Sequence, residues 1–250
     1  MQTVGIFTRA LDDALLDEEI DLAVHSAKDM PSALPAGIAL AAFLKREDPR
    51  DALLALSPEV HFENLSRKLI IGTSALRRQA FLRHYFPHVE VKEIRGNVDT
   101  RIAKMTAGDY DGILLAMAGV KRMGLEKFVV QKMNISTFSP AVGQGAIAVT
   151  CKEGFAEREK VRDCLNHPLT EQALTCERAF LGGIQGGCQT PAFGFASVTG
   201  DKISLTAGVA EVDGSRIYRH QAEGLVVDGV AIGYESAQAV LDRMSINQKT

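Results

Sequence analysis

Leu69-Ile70-Ile71-Gly72-Thr73-Ser74-Ala75-Leu76-Arg77-Arg78-Gln79 joins an apolar run of strand length to a polar turn and then to a helical pattern. The helix extends over Ala75 to Phe86, with Leu76, Ala80 and Tyr85 apolar, and Thr73 or Ser74 is expected to cap it. The alternation then continues. A strand is expected at Val89 to Ile94, a helix from about Val98 to Met105, a strand at Ile113 to Ala116, and a short helix ending near Gly124. Strands alternating with helices predict an α/β unit with a mainly parallel sheet, which we assign to residues 50–140. Arg46-Glu47-Asp48-Pro49-Arg50 before it and Ser139-Pro140-Ala141-Val142-Gly143-Gln144-Gly145 after it have the character of hinges between lobes.

Upstream, Ile6, Leu11, Leu15 and Leu16 recur at near-helical spacing and feed a short buried strand at Ile20 to Val24. That strand ends in His25-Ser26-Ala27-Lys28-Asp29, and Pro31 and Pro35 then impose an irregular loop. Polar groups therefore sit at a strand's C-terminal end, where open α/β sheets bind ligands. Downstream, a helix from Leu169 to Leu181 with Thr170 as cap runs into glycines around Cys188. Segments Ile203 to Ala210 and Arg216 to Ala222 then flank Asp213-Gly214, a hairpin signal, and a helix over Ala231 to Met244 closes the chain. The expected units are 1–45 with 146–165, then 50–140, then a small α+β domain at 168–250.

Composition limits the partners. The chain has 250 residues, 46% hydrophobic and 24% charged, so disorder is not its theme. With 28 basic against 31 acidic side chains and a net charge of -3, no overall field draws it to nucleic acid or a membrane surface; charge recognition has to be local. No apolar run approaches the roughly 18 residues of a membrane span, and Met1 to Arg9 lacks the features of a signal peptide, so the expected location is the cytoplasm. Four cysteines without a CxxC pair suggest neither zinc nor a disulfide framework, and no metal is assigned.

Three constellations can carry chemistry. Arg77, Arg78, Arg95, Arg101 and Arg122 lie near strand ends and helix starts, with Gly96 and Asn97 beside Arg95. Taken singly each reads more readily as a solvated surface cation, but as a set they suit carboxylate or phosphate. Lys28-Asp29 puts an acid beside a base at a strand end, whereas His25 reads as a hydrogen-bonded, partly buried side chain. Glycines just before Cys188 leave room for a thiol to meet a large ligand, while Cys151, Cys164 and Cys176 read as small buried hydrophobes.

Several ordered motifs then agree. They are His25-Ser26-Ala27-Lys28-Asp29, Lys45-Arg46-Glu47-Asp48-Pro49-Arg50-Asp51-Ala52, Gly72 to Gln79, and Arg95-Gly96-Asn97-Val98-Asp99-Thr100-Arg101. Leu115 to Arg122, Pro140 to Ala146 and Gly186-Gly187-Cys188 complete the set. Through them the chain resembles the porphobilinogen deaminase (hydroxymethylbilane synthase) family over nearly its whole length. The resemblance implies two lobes like those of type II periplasmic binding proteins, followed by a small third domain. It also implies a dipyrromethane cofactor held by a thioether on Cys188, and Asp29 as the catalytic acid. Ser26, Lys28, Thr73, Ser74, Arg77, Arg78, Arg95, Gly96, Asn97, Arg101 and Gln144 would contact that cofactor, and Arg122 would join Arg78 and Arg101 on substrate carboxylates. The implied reaction joins four porphobilinogen molecules head to tail with loss of ammonia and releases hydroxymethylbilane, in a monomer with neither nucleic-acid nor membrane partner. Members of the family begin with a strand, a helix and a mobile Gly-Lys-Gly loop. Met1 to Phe7 meets the family only at the end of that loop, with Val4 where Lys is usual, so the first lobe is expected to be incomplete. A non-catalytic binder of anionic pyrroles or other polycarboxylates is the alternative reading.

Overall fold

The computed structural model describes residues 6–66, 68–186 and 190–247. The chain opens with α1 (Ile6–Leu16) and β1 (Leu22–Ser26), and a single 3-10 turn at Ala27–Asp29 leads into the proline loop before β2 (Ile38–Phe43). β1 lies two residues later than expected and is not buried throughout: Ala23 and His25 point inward while Val24 is 63% exposed. β1 is at a sheet edge, where period-two alternation leaves one face to solvent.

The first crossover leads to β3 (Asp51–Ala55), followed by β4 (Ile70–Gly72), α2 (Leu76–Tyr85), β5 (Glu90–Lys92), α3 (Val98–Thr106), β6 (Gly112–Ala116), α4 (Met117–Arg122) and β7 (Val129–Lys132). The sheet order is β5-β4-β6-β3-β7. β4 pairs in parallel with β5 and β6, whereas β3 runs antiparallel to both β6 and β7. The expected mainly parallel sheet is thus present, with β3 as a reversed strand near its centre. Ala52, Leu53 and Leu54 are fully buried there, and a strand covered on both faces shows no alternation for a reader to follow.

The second crossover returns to β8 (Ile147–Lys152), which lies antiparallel between β1 and β2, and α5 (Arg158–Leu165) packs beside β2. The last unit is α6 (Pro168–Gly183), the meander β9 (Ala192–Thr199), β10 (Lys202–Ala210) and β11 (Ile217–Leu225), then α7 (Gly229–Asn247). α6 and α7 approach closely because Gly233 has no side chain. A Cβ there would stand 2.5 Å from the Cys176 carbonyl oxygen.

Both expected caps are corrected. Ala75, not Thr73 or Ser74, occupies the cap position of α2 and forms no side-chain cap bond; Thr73 Oγ1 accepts from the Ala75 amide at 3.4 Å. α6 begins at Pro168, whose fixed φ suits a first helical position, and His167 Nδ1 accepts from the Thr170 amide. Thr170 instead turns its oxygen to the Arg46 amide at 3.0 Å. Cys164 is exposed rather than buried, because α5 is an amphipathic surface helix with no buried residue; Cys151 and Cys176 are buried as expected.

Two cores cross the expected unit boundaries. Leu53, Phe81, Leu114 and Phe138 of the second lobe pack with Phe193 and Ala210 of the third unit. Ala27, Met30, Phe43 and Ala148 of the first lobe pack with Leu174 of α6.

Candidate active site

The two crossovers lie side by side at the base of the cleft. The Glu47 amide donates to the Gly145 carbonyl at 2.8 Å, Arg46 Nε donates to the Gln144 carbonyl at 2.9 Å, and Gln144 Nε2 donates to the Pro49 carbonyl at 2.6 Å. Gly145 has φ +89°, and a Cβ on it would stand 2.6 Å from the Glu47 carbonyl oxygen, so the contact needs glycine. A cavity of about 720 Å³ opens on one side of this base. Asp29 and Lys28 enter it from the end of β1, Ser74, Arg77 and Arg78 from the start of α2, Arg101 from α3, and Gln144 from the second crossover. Gly186 and Thr190, which bracket Cys188, line it too. Cys188 itself lies outside the described residues.

Asp51 anchors the arginines. It is fully buried at the start of β3, and one carboxylate oxygen accepts from Arg77 Nη2 at 2.7 Å. The other accepts from Arg78 Nη2 at 2.7 Å, from Arg78 Nε at 3.0 Å and from Gln144 Nε2 at 3.0 Å. Arg77 also donates to the Ser139 carbonyl and Arg78 to the Leu114 carbonyl. Burial pushes the Asp51 carboxyl up, but Arg77 and Arg78 outweigh it and hold the group below the usual carboxylate range. Arg77 and Arg78 are therefore structural cations whose edges reach the cavity, which corrects the picture of free surface arginines.

Arg9, Lys28, Arg77, Arg78 and Arg101 line the cavity together with the carboxylates of Asp12, Asp13 and Asp29, and Asp51 sits beneath the arginine pair. Burial first and then the Arg78 guanidinium lower the pKa of Lys28, against smaller opposing pulls from Asp29 and Asp51. The same two causes lower Arg101. An anionic ligand would relieve both cations, and the start of α2 adds backbone amides of the same preference. Burial, with Glu177 adding to it, pushes the Cys176 thiol up to about 12, and burial also raises Cys151, so neither is a ready nucleophile.

Not every expected residue converges here. Arg122 and Ser26 line a second cavity, which shares Lys28 and Gln144 with the first. Thr73, Arg95, Gly96 and Asn97 line neither: Thr73 is buried, Arg95 pairs with Glu93 at 2.8 Å in solvent, Gly96 accepts from Arg101 Nε, and Asn97 caps α3 by accepting from the Thr100 amide. His25 is 8% exposed, with Nε2 3.1 Å from Thr150 Oγ1, and burial lowers its pKa. Among the described residues no group of His, Cys, Asp and Glu is arranged to hold a metal. Sequence reasoning missed Asp51, although a carboxylate leading into the apolar run Ala52-Leu53-Leu54 was a signal that buried cations must meet it. Arg9, Asp12 and Asp13 of α1, which also line the cavity, carried no such signal.

Residues 1–165 match the family model described as porphobilinogen deaminase, dipyromethane cofactor binding domain, and residues 172–242 match the porphobilinogen deaminase C-terminal domain. Curated relatives bearing the name porphobilinogen deaminase include that of Desulfosudis oleivorans, 44% identical over 95% of this chain and 77% of its own length. Those of Nostoc sp. and Geobacter sulfurreducens are 41% and 43% identical, over 96% and 95% of this chain and 75% and 74% of their own. Among solved structures, the second substrate binding domain of a putative amino acid ABC transporter from Streptococcus pneumoniae aligns with 62% of this chain and 69% of its own, at 13% identity and a TM-score of 0.41. With both family models matched in order along the chain, and with Asp29, Lys28 and the buried arginine pair gathered in one cleft, the chain belongs to the porphobilinogen deaminase family.

Proposed function

We propose that this chain is a hydroxymethylbilane synthase that joins four porphobilinogen molecules head to tail, with loss of ammonia, in the cleft containing Asp29. The observation that carries the reading is the cavity of about 720 Å³ that Lys28, Asp29, Arg77, Arg78 and Arg101 line together. That donor set fits a dipyrromethane bearing acetate and propionate groups. Attached through Cys188, the cofactor supplies the free α-position to which the first substrate is joined. Lys28, Arg78 and Arg101 bind carboxylates and so orient the rings, while Asp51 keeps the Arg78 guanidinium fixed. Loss of ammonia from the substrate leaves a cationic methylene-pyrrolenine, and Asp29 stabilises that positive charge and takes up the proton released when the new carbon-carbon bond forms. In this reading residues 1–45 with 146–165 form the catalytic-acid lobe, 50–140 the arginine lobe and 168–250 the domain that presents Cys188, in a cytosolic monomer. Among the described residues no helix is long and apolar enough to cross a membrane.

Intact mass before and after Cys188→Ser tests the attachment: two pyrrole units should be present on the first protein and absent from the second. Asp29→Ala should retain the added mass and lose turnover of porphobilinogen by about 100-fold or more. Anion binding without ammonia release by the mass-loaded protein would favour the non-catalytic binder instead.

A further inference from the structure

One stripe of α1 faces the cavity that contains Asp29. Arg9, Asp12, Asp13 and Leu16, at i, i+3, i+4 and i+7 of the helix, all line it. The charged groups that the second lobe brings to the same cavity are all cations, Arg77, Arg78 and Arg101, whereas its three carboxylates, Asp12, Asp13 and Asp29, all come from the first lobe. Asp13 is engaged by Arg9, whose Nε lies 3.9 Å from Oδ2 one turn away. Asp12 is half-buried and forms no ion pair and no side-chain hydrogen bond among the described residues. Burial raises its carboxyl above the ordinary value, against a smaller opposing pull from His25. Burial in turn lowers the pKa of His25, so this imidazole is no standing counter-charge at neutral pH. What Asp12 lacks is a cation, and the reaction brings one. A pyrrole that loses ammonia enters with an aminomethyl group, an ammonium at neutral pH, on the ring that also bears acetate and propionate.

We propose that Asp12 is a specificity-determining residue that binds the aminomethyl ammonium of the incoming porphobilinogen, while the arginines of the other lobe take its carboxylates. The inference rests on the function proposed above and deepens it: Asp29 serves the positive charge that develops on the ring, and Asp12 holds the departing nitrogen. Keeping that nitrogen protonated matters to the chemistry. When the C–N bond breaks, its electron pair goes to nitrogen, so an ammonium departs as neutral NH3 and leaves the methylene-pyrrolenine cation behind. The first lobe thus handles the cationic end of the substrate and the second lobe its anionic arms.

Asp12→Asn keeps the size of the side chain and removes its charge. In steady-state turnover by the mass-verified protein it should lower kcat/KM for porphobilinogen about tenfold or more. An analogue with hydroxymethyl in place of aminomethyl carries no ammonium, and its kcat/KM should be the same in variant and wild type. Asp12→Glu should recover most of the loss, and Asp163→Asn, at an exposed position of α5, should leave both substrates unaffected. Equal losses for the two pyrroles, or no loss for either, would overturn the proposal and leave the main reaction standing. If the wild-type protein turns over neither pyrrole, the proposed function fails and calorimetry decides the site. Tighter binding of porphobilinogen than of the hydroxymethyl analogue, with the difference lost in Asp12→Asn, keeps Asp12 as the ammonium partner; equal binding of the two removes it.

Discussion

At the scale of single residues, Asp51 does the most to shape the cleft. It has no exposed surface and accepts four hydrogen bonds from Arg77, Arg78 and Gln144, which is how a buried carboxylate stays ionised. Asp51→Asn would leave two buried guanidinium groups without a counter-charge, and we expect a loss of about 3–5 kcal/mol in chemical denaturation at neutral pH. Because the folded pKa of Asp51 is depressed, its contribution is complete above the unfolded value of about 3.9 and is lost as pH falls through the lower folded value. The variant should therefore show a shallower acid limb than wild type when stability is followed from pH 5 downward. An unchanged limb would assign acid sensitivity to other carboxylates. Arg78→Ala should cost stability as well as ligand affinity, since one side chain serves both. The arginines were legible in the sequence as cations near helix starts. Their partner was not, because Asp51 is 26 and 27 residues away from Arg77 and Arg78 and only the β3–β6 pairing brings it beneath α2.

At the scale of elements, the crossovers and α6 form one junction. Glu177 of α6 is fully buried, with Arg46 Nη1 at 2.5 Å from one oxygen and the amides of Gly143 and Ala196 each donating at 2.8 Å. One carboxylate therefore ties the third unit to both crossovers. Arg178 adds a bond from the same helix to the Ser32 carbonyl in the proline loop. The crossovers read as hinges from their composition, and they do connect the lobes, but side-by-side pairing makes them a two-stranded strap. Gly145→Ala would force a Cβ against the Glu47 carbonyl at a left-handed φ. We expect a loss of about 1–3 kcal/mol, measured by urea denaturation, because neither strand of the strap can yield without moving a lobe. Wild-type stability in that variant would mean that the strap is loose.

At the scale of the whole molecule, the third unit is wedged against both lobes. Phe193 of β9 packs 5.1 Å from Phe81 of α2, and Arg219 of β11 donates to the Ser136 and Thr137 carbonyls. Arg83 and His84 at the end of α2 bond the Val212 and Gly214 carbonyls of the β10–β11 loop. On the other side Leu174 enters the core of the first lobe. Relative movement of the lobes must therefore shear contacts around the unit that carries Cys188. Phe193→Ala should cost about 3–5 kcal/mol and lower the melting temperature in a single transition. Two resolved transitions in the wild-type protein would show instead that the third unit melts independently.

Strand and helix alternation, glycine and proline punctuation and seven ordered motifs sufficed to read from sequence the α/β class, the family, the catalytic candidate Asp29 and the cofactor-attachment candidate Cys188. These are local signals, carried by residues close together in the chain. Tertiary structure alone decided that Arg77 and Arg78 are held by Asp51, that Arg122 lies in a second cavity with Lys45, and that Glu177 joins α6 to both crossovers. Each depends on burying charge between segments distant in sequence, where the low-dielectric interior makes pairing obligatory but leaves the choice of partner to the fold.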